Sequence, residues 1–107
     1  MKIHKLGDML NGWFVGNFEP TILKTSNFEV GYRTHAQGLG DPHYHTVVTE
    51  VNLITSGKMK LHDKIMEAGD IFVLEPWEIT APEFLEPTSI VCVKIPSLND
   101  KKPLTLS

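Results

Sequence analysis

His43 and His45 stand two residues apart, Glu50 follows five beyond His45, and Gly57 lies seven beyond Glu50. Two histidines at i and i+2 of a strand project from the same face, so their imidazoles can meet on one cation. Imidazole nitrogen and carboxylate oxygen together suit divalent transition metals. Strict alternation, however, turns Glu50 away from both rings. The three side chains converge only if the chain bulges or changes strand between Thr46 and Thr49. Without that break they are a polar strand pair beside a solvated or hydrogen-bonded carboxylate.

Further candidates surround this segment. Arg33 is the chain's only arginine, hence its one bidentate clamp for a carboxylate or phosphate. It shares a face with Glu29, Gly31 and His35, opposite Phe28, Val30 and Tyr32; alternation couples these sets without saying which is inside. Asn52 continues the face of Glu50 and lines the same cavity if Glu50 does. Trp77, after Pro76, either stacks on a ligand at the cavity mouth or forms an aromatic contact at a dimer edge. Tyr44 alternates with the two histidines and packs outside or at a subunit contact. Cys92, inside an apolar run, reads as a buried inert thiol, and His62 as a surface residue.

The elements that must position these groups read as strands. Seven prolines spread from Pro20 to Pro103 separate short segments. Residues 28–34 alternate as a half-buried strand. The loop 36–42 carries two glycines and a proline. Residues 43–57 are rich in β-branched side chains. Residues 58–62 and 65–66 flank a hairpin tip at Asp63-Lys64. Residues 68–76 open on a Gly-Asp turn and run as a buried strand to Pro76, and 89–96 form a last apolar strand. Met59, Leu61, Phe72, Leu74, Val91 and Val93 are the expected core. The apolar stretch 10–18 covers a sheet edge or meets another subunit. No amphipathic helix competes, so the fold class is an all-β sandwich or barrel.

Composition agrees. The 107 residues, 41% hydrophobic and 21% charged with net charge −3, describe one domain able to bury its own core. A core of 28–96, an arm of 1–20 and a surface tail of 97–107 complete it. A pI of about 5.9 with no basic stripe argues against nucleic acid or an anionic membrane as partner. No apolar run is long enough to span a bilayer and no secretion signal opens the chain. With a single cysteine, the expected location is the cytoplasm.

The run from His43 to Gly57 resembles the first motif of the cupin superfamily, in which HxH precedes a glutamate and, six residues on, a glycine. Gly69, Asp70 and Pro76 resemble part of the second motif, so the resemblance covers roughly residues 28–95. It implies a small antiparallel double-stranded β-helix, or jelly-roll barrel, of the RmlC-like kind, and a homodimer. It also implies that His43, His45 and Glu50 ligate a metal. Metal-binding members supply a further histidine after the second-motif proline. Here no histidine occurs after His62, and Thr80 or Ala81 stands near that place. Three outcomes are open: a site of two histidines and one carboxylate with open positions, as on non-haem iron; replacement by Glu78, Glu83 or His35; or loss of the metal.

The expected function is therefore binding of, or action on, a small polar metabolite at a divalent iron, manganese, nickel or zinc ion, as in an oxygenase or isomerase. Glu50 either ligates or acts as a general base with a pKa raised by burial. The alternatives are a metal-free sugar isomerase or epimerase, with His43 or His45 as base and Tyr44 or Tyr32 as acid, and a non-catalytic small-molecule binder.

Overall fold

The computed structural model describes residues 1–104, so the last three residues of the expected tail, 105–107, lie outside the described residues. The chain runs through twelve short strands: β1 (Trp13–Gly16), β2 (Leu23–Lys24), β3 (Glu29–His35), β4 (Gly38–Leu39), β5 (His43–Tyr44), β6 (Thr49–Ser56), β7 (Lys58–Leu61), β8 (Lys64–Glu67), β9 (Ile71–Leu74), β10 (Glu83–Phe84), β11 (Thr88–Ile95) and β12 (Lys102–Pro103). One 3-10 turn spans Leu6–Asp8. A six-stranded sheet in the order β2-β1-β3-β11-β6-β9 faces a four-stranded sheet β4-β10-β7-β8, and β12 pairs with β5. All pairings are antiparallel except β1 with β2.

Register decides what the large sheet shows to the interior. Across β3, β11 and β6 one inner row is Glu29, Lys94, Glu50, the next Gly31, Cys92, Asn52, and the next Arg33, Ile90, Ile54. On β9, Leu74 and Phe72 extend the first two rows. Ile54, Met59, Leu61, Leu74, Phe84 and Ile90 form the buried core at one end, with Met66 and Phe72 packed against it. Fully burying a side chain such as Ile54 contributes about 1.5–3 kcal/mol. The opposite end of the same face is polar, and there the site lies.

The face of β3 that alternation left open is decided here: the set Glu29, Gly31, Arg33 and His35 faces inward, with the Trp13 indole lying directly over Gly31. Several sequence expectations are corrected. Val91 and Val93 fall on the outer face, half-buried. Residues 71–74 form an edge strand with exposed Ile71 and Val73 rather than a buried one. The hairpin tip is His62-Asp63, one residue earlier than expected, because both adopt left-handed conformations (φ 50° and 62°), as a two-residue type I′ turn requires. Within the stretch 10–18, expected to cover a sheet edge or meet another subunit, β1 is itself a strand of the large sheet, between β2 and β3.

Candidate metal centre

The strand break that Glu50 needs is present. β5 ends at Tyr44 and β6 begins at Thr49, so residues 45–48 form a turn that resets the alternation. Asp100 builds it. Its Oδ2 accepts hydrogen bonds from the backbone amides of Thr46 (3.0 Å), Val47 (2.7 Å) and Val48 (2.9 Å), a concave run of N–H groups of the kind that holds anions. Its Oδ1 accepts from His45 Nδ1 at 2.7 Å. Burial raises the Asp100 pKa, but the amides of Val48 and Val47 and the His45 ring outweigh it and hold the carboxyl below the usual carboxylate range. Asp100 lies in the segment expected to be a surface tail, and a partner 55 residues from His45 leaves no local spacing signal.

The two imidazoles are oriented alike. His43 Nδ1 donates to the carbonyl of Asp41 at 2.8 Å, since a carbonyl can only accept, and His45 Nδ1 donates to Asp100. Both rings thus present Nε2 to a common point, their centroids 5.5 Å apart and their planes at 89°. His45 Nε2 lies 2.9 Å from Glu50 Oε2. One donor atom from each of His43, His45 and Glu50 falls within 4.8 Å of the others. Two ligands bonded at about 2.1 Å and set at right angles stand about 3 Å apart, so the His45–Glu50 spacing fits adjacent coordination positions. Outer-shell acceptors on Nδ1 are the usual support of metal-ligating histidines, and the donor set therefore fits a transition metal.

Charge follows the geometry. The Glu50 carboxylate raises the His45 pKa against the effect of burial, with Asp100 adding to it. Burial raises the Glu50 pKa, yet the His45 ring and the Cys92 thiol, which donates to Oε1 at 3.1 Å, bring it below its ordinary value. This corrects the expectation of a Glu50 base tuned upward by burial. Burial lowers the His43 pKa, and Lys101 works in the same direction. Cys92 is pushed far up by burial and by Glu50, so the thiol is inert as expected, although it touches the centre.

A cavity of about 210 Å³ opens beside these residues. Arg33, Asn52 and His35 line it, as do Trp13, Lys94 and Lys101, which the sequence reading missed. The alternation of Lys94 with Ile90 and Cys92 was a usable signal for Lys94; none marked Trp13 or Lys101. Trp77 is not among the lining residues. It is 66% exposed, stacks on Tyr44 at 5.7 Å and has a left-handed backbone (φ 70°).

No family model and no curated protein matches the sequence. Solved structures do. A protein with a double-stranded β-helix domain from Klebsiella pneumoniae subsp. pneumoniae MGH 78578 superposes with a TM-score of 0.68 at 21% identity, over 77% of this chain and 74% of that one. An RmlC-like cupin from Shewanella frigidimarina NCIMB 400 gives 0.63 at 17% identity, over 71% and 72%. The chain has the cupin fold. Pac13, a nucleoside dehydratase from Streptomyces, is also similar, with a TM-score of 0.64 at 14% identity over 77% of this chain and 72% of that one.

Within this cupin fold, Thr80, one of the two residues near the place where the resemblance implies a further histidine, adjoins His43. It is buried and pairs with His43 through both backbone groups, His43 N to Thr80 O at 3.0 Å and Thr80 N to His43 O at 2.9 Å. None of the suggested replacements joins the group. Glu78 accepts from the Glu75 amide, Glu83 lies in β10 outside the cavity lining, and His35 stacks flat on Phe84 at 4.4 Å. Among the described residues the donor group is His43, His45 and Glu50 alone. Among the described residues no helix is long and apolar enough to cross a membrane.

Proposed function

We propose that this cupin-fold protein holds a divalent transition metal on His43, His45 and Glu50 and binds or transforms a small polar metabolite in the adjoining cavity. The observation that carries the reading is the convergence of three donor atoms within 4.8 Å, with each Nδ1–H tied to its own acceptor. With only three protein donors, a bound ion supplies Lewis acidity at positions left open to a ligand oxygen. The chain's own residues orient the reactants: Asp100 fixes the His45 tautomer, Asp41 fixes that of His43, and Cys92 holds the second Glu50 oxygen. Met59, Leu61, Phe72 and Leu74 shield one side of the cavity from water.

The metal-free isomerase reading is less well supported, because its tyrosine acids are badly sited. Tyr44 stacks on Trp77, and the Tyr32 hydroxyl interacts with Ser89 and Thr55 on the outer face. Neither lines the cavity. Elemental analysis of untagged protein after supplementation with iron, manganese, nickel or zinc tests the proposal. Near-stoichiometric uptake that is lost in His43→Ala and Glu50→Ala is expected; uptake below about a tenth of an equivalent refutes it.

A further inference from the structure

We infer that the cavity takes a small oxyanion, a carboxylate or phosphate group, with Arg33 as its bidentate anchor and the Asn52 side-chain amide as a second donor. The inference rests on the cavity being the ligand site, as proposed above, but not on metal occupancy. Three of its lining residues, Arg33, Lys94 and Lys101, are cationic against one carboxylate, Glu50, in a chain whose net charge is −3. Positive charge has been gathered here.

Lys94 is partly neutralised by Glu29 at 4.0 Å, whereas no carboxylate among the described residues pairs with Arg33. Its guanidinium rests on the Trp13 ring, 5.7 Å from the centroid. That stack braces a planar fork without using its hydrogen-bond donors. Asn52 is 4% exposed, lines the cavity, and its Nδ2 has no hydrogen-bond partner. A buried amide donor left unmade costs about 1–3 kcal/mol, a cost that an acceptor oxygen in the cavity removes. Arg33 and Asn52 project from β3 and β6, on either side of β11. Two ladder spacings, about 10 Å, separate those strands, which suits a short acid reached by a long arginine from one side and a short amide from the other. The volume of about 210 Å³ falls below the ~300–1,000 Å³ of pockets for drug-sized ligands. The positive field is also felt by its neighbours: burial chiefly, then Arg33 and Lys101, depress the His35 pKa.

The test is an NMR titration of the ¹⁵N-labelled full chain, metal-free and metal-supplemented, at constant ionic strength. Acetate, propionate and butyrate are each compared with the matching primary amide, and inorganic phosphate forms a separate arm. Arg33 is the sole arginine, so its Nε–Hε signal is unambiguous. At least one anion is expected to move that signal and the Asn52 side-chain amide saturably, while the neutral amides do not. Arg33→Gln is expected to weaken binding about tenfold or more, and Arg33→Lys, which keeps charge but loses the fork, by less. Response to the carboxylates or to phosphate identifies which oxyanion the site prefers. Absence of any saturable shift at Arg33 in the wild-type chain overturns the inference without recourse to a variant, as does unchanged affinity in folded Arg33→Gln. Anion binding without metal uptake leaves this inference standing and defeats the metal reading; metal uptake without an anion response does the reverse.

Discussion

Removing the Asp100 carboxylate separates what holds the site from what fills it. Asp100→Ala strips acceptors from three amides and the His45 ring. Thr46 and Val47 are accessible enough for water to replace the lost bonds, but Val48 is fully buried and His45 nearly so. Two stranded donors at about 1–3 kcal/mol each predict a loss of about 2–6 kcal/mol. That is a large part of the ~5–15 kcal/mol of a typical domain, equivalent to a fall in melting temperature of roughly 10–30 °C. Asp100→Asn is subtler. If its carbonyl oxygen keeps the amides, its NH₂ must face His45 Nδ1, and the ring has to take the opposite tautomer, with the proton on Nε2 and no lone pair for a cation. This variant should retain most of the fold while losing about 10–100-fold in metal affinity, measured by chelator competition. An Asp100→Ala chain melting within ~0.5 kcal/mol of wild type, the range of neutral surface changes, would refute the argument, as would unaltered metal affinity in Asp100→Asn.

The same contacts set the pH response. Asp100 has a folded-state pKa below its unfolded value of ~3.9, so its contribution is complete above about pH 4 and disappears on further acidification; the stability gap between wild type and Asp100→Asn should narrow there in acid unfolding curves. His45 is shifted the other way. In metal-free protein its contribution is full below about pH 6.5 and fades as pH rises through the raised value, and His45→Gln should abolish that alkaline loss in denaturant titrations. Trp77→Ala should leave metal and anion binding unchanged by calorimetry, since the ring lies outside the cavity; a tenfold change would show that the exposed ring reaches the ligand. We expect a homodimer through the outer face of the large sheet, where Val91, Val93, Val51, Leu53, Ile71 and Val73 adjoin with no charged residue among them. Such an uncharged, self-matching surface suits a second copy. Sedimentation should give a dimer that Leu53→Glu with Ile71→Glu converts to monomer, and a monomeric wild type would exclude it.

What the sequence disclosed was whatever depends on near neighbours. The histidine pair and Glu50 fall within eight consecutive residues, and the odd separation of five positions between His45 and Glu50 already demanded a break such as the turn at 45–48. Gly57 was legible for the same reason: with φ 92° and the Pro87 carbonyl against it, a Cβ has no room there. Long-range partners were not legible. Asp100, Trp13 and Lys101 reach the centre from the two ends of the chain, where no periodicity ties them to His45. The inner face of β3 was undecidable from alternation because hydrophobicity points the wrong way. Its apolar set, Val30 and Tyr32, faces out, while the interior receives Glu29, Gly31, Arg33 and His35. A cavity lined by charged side chains inverts the rule that apolar residues mark the inside. The undecided face of β3 and the best candidate ligand anchor, Arg33, are therefore one observation. Polar side chains turned into a barrel cost stability unless they find partners, and the unpaired guanidinium and the unbonded Asn52 amide are the groups that the proposed oxyanion would satisfy.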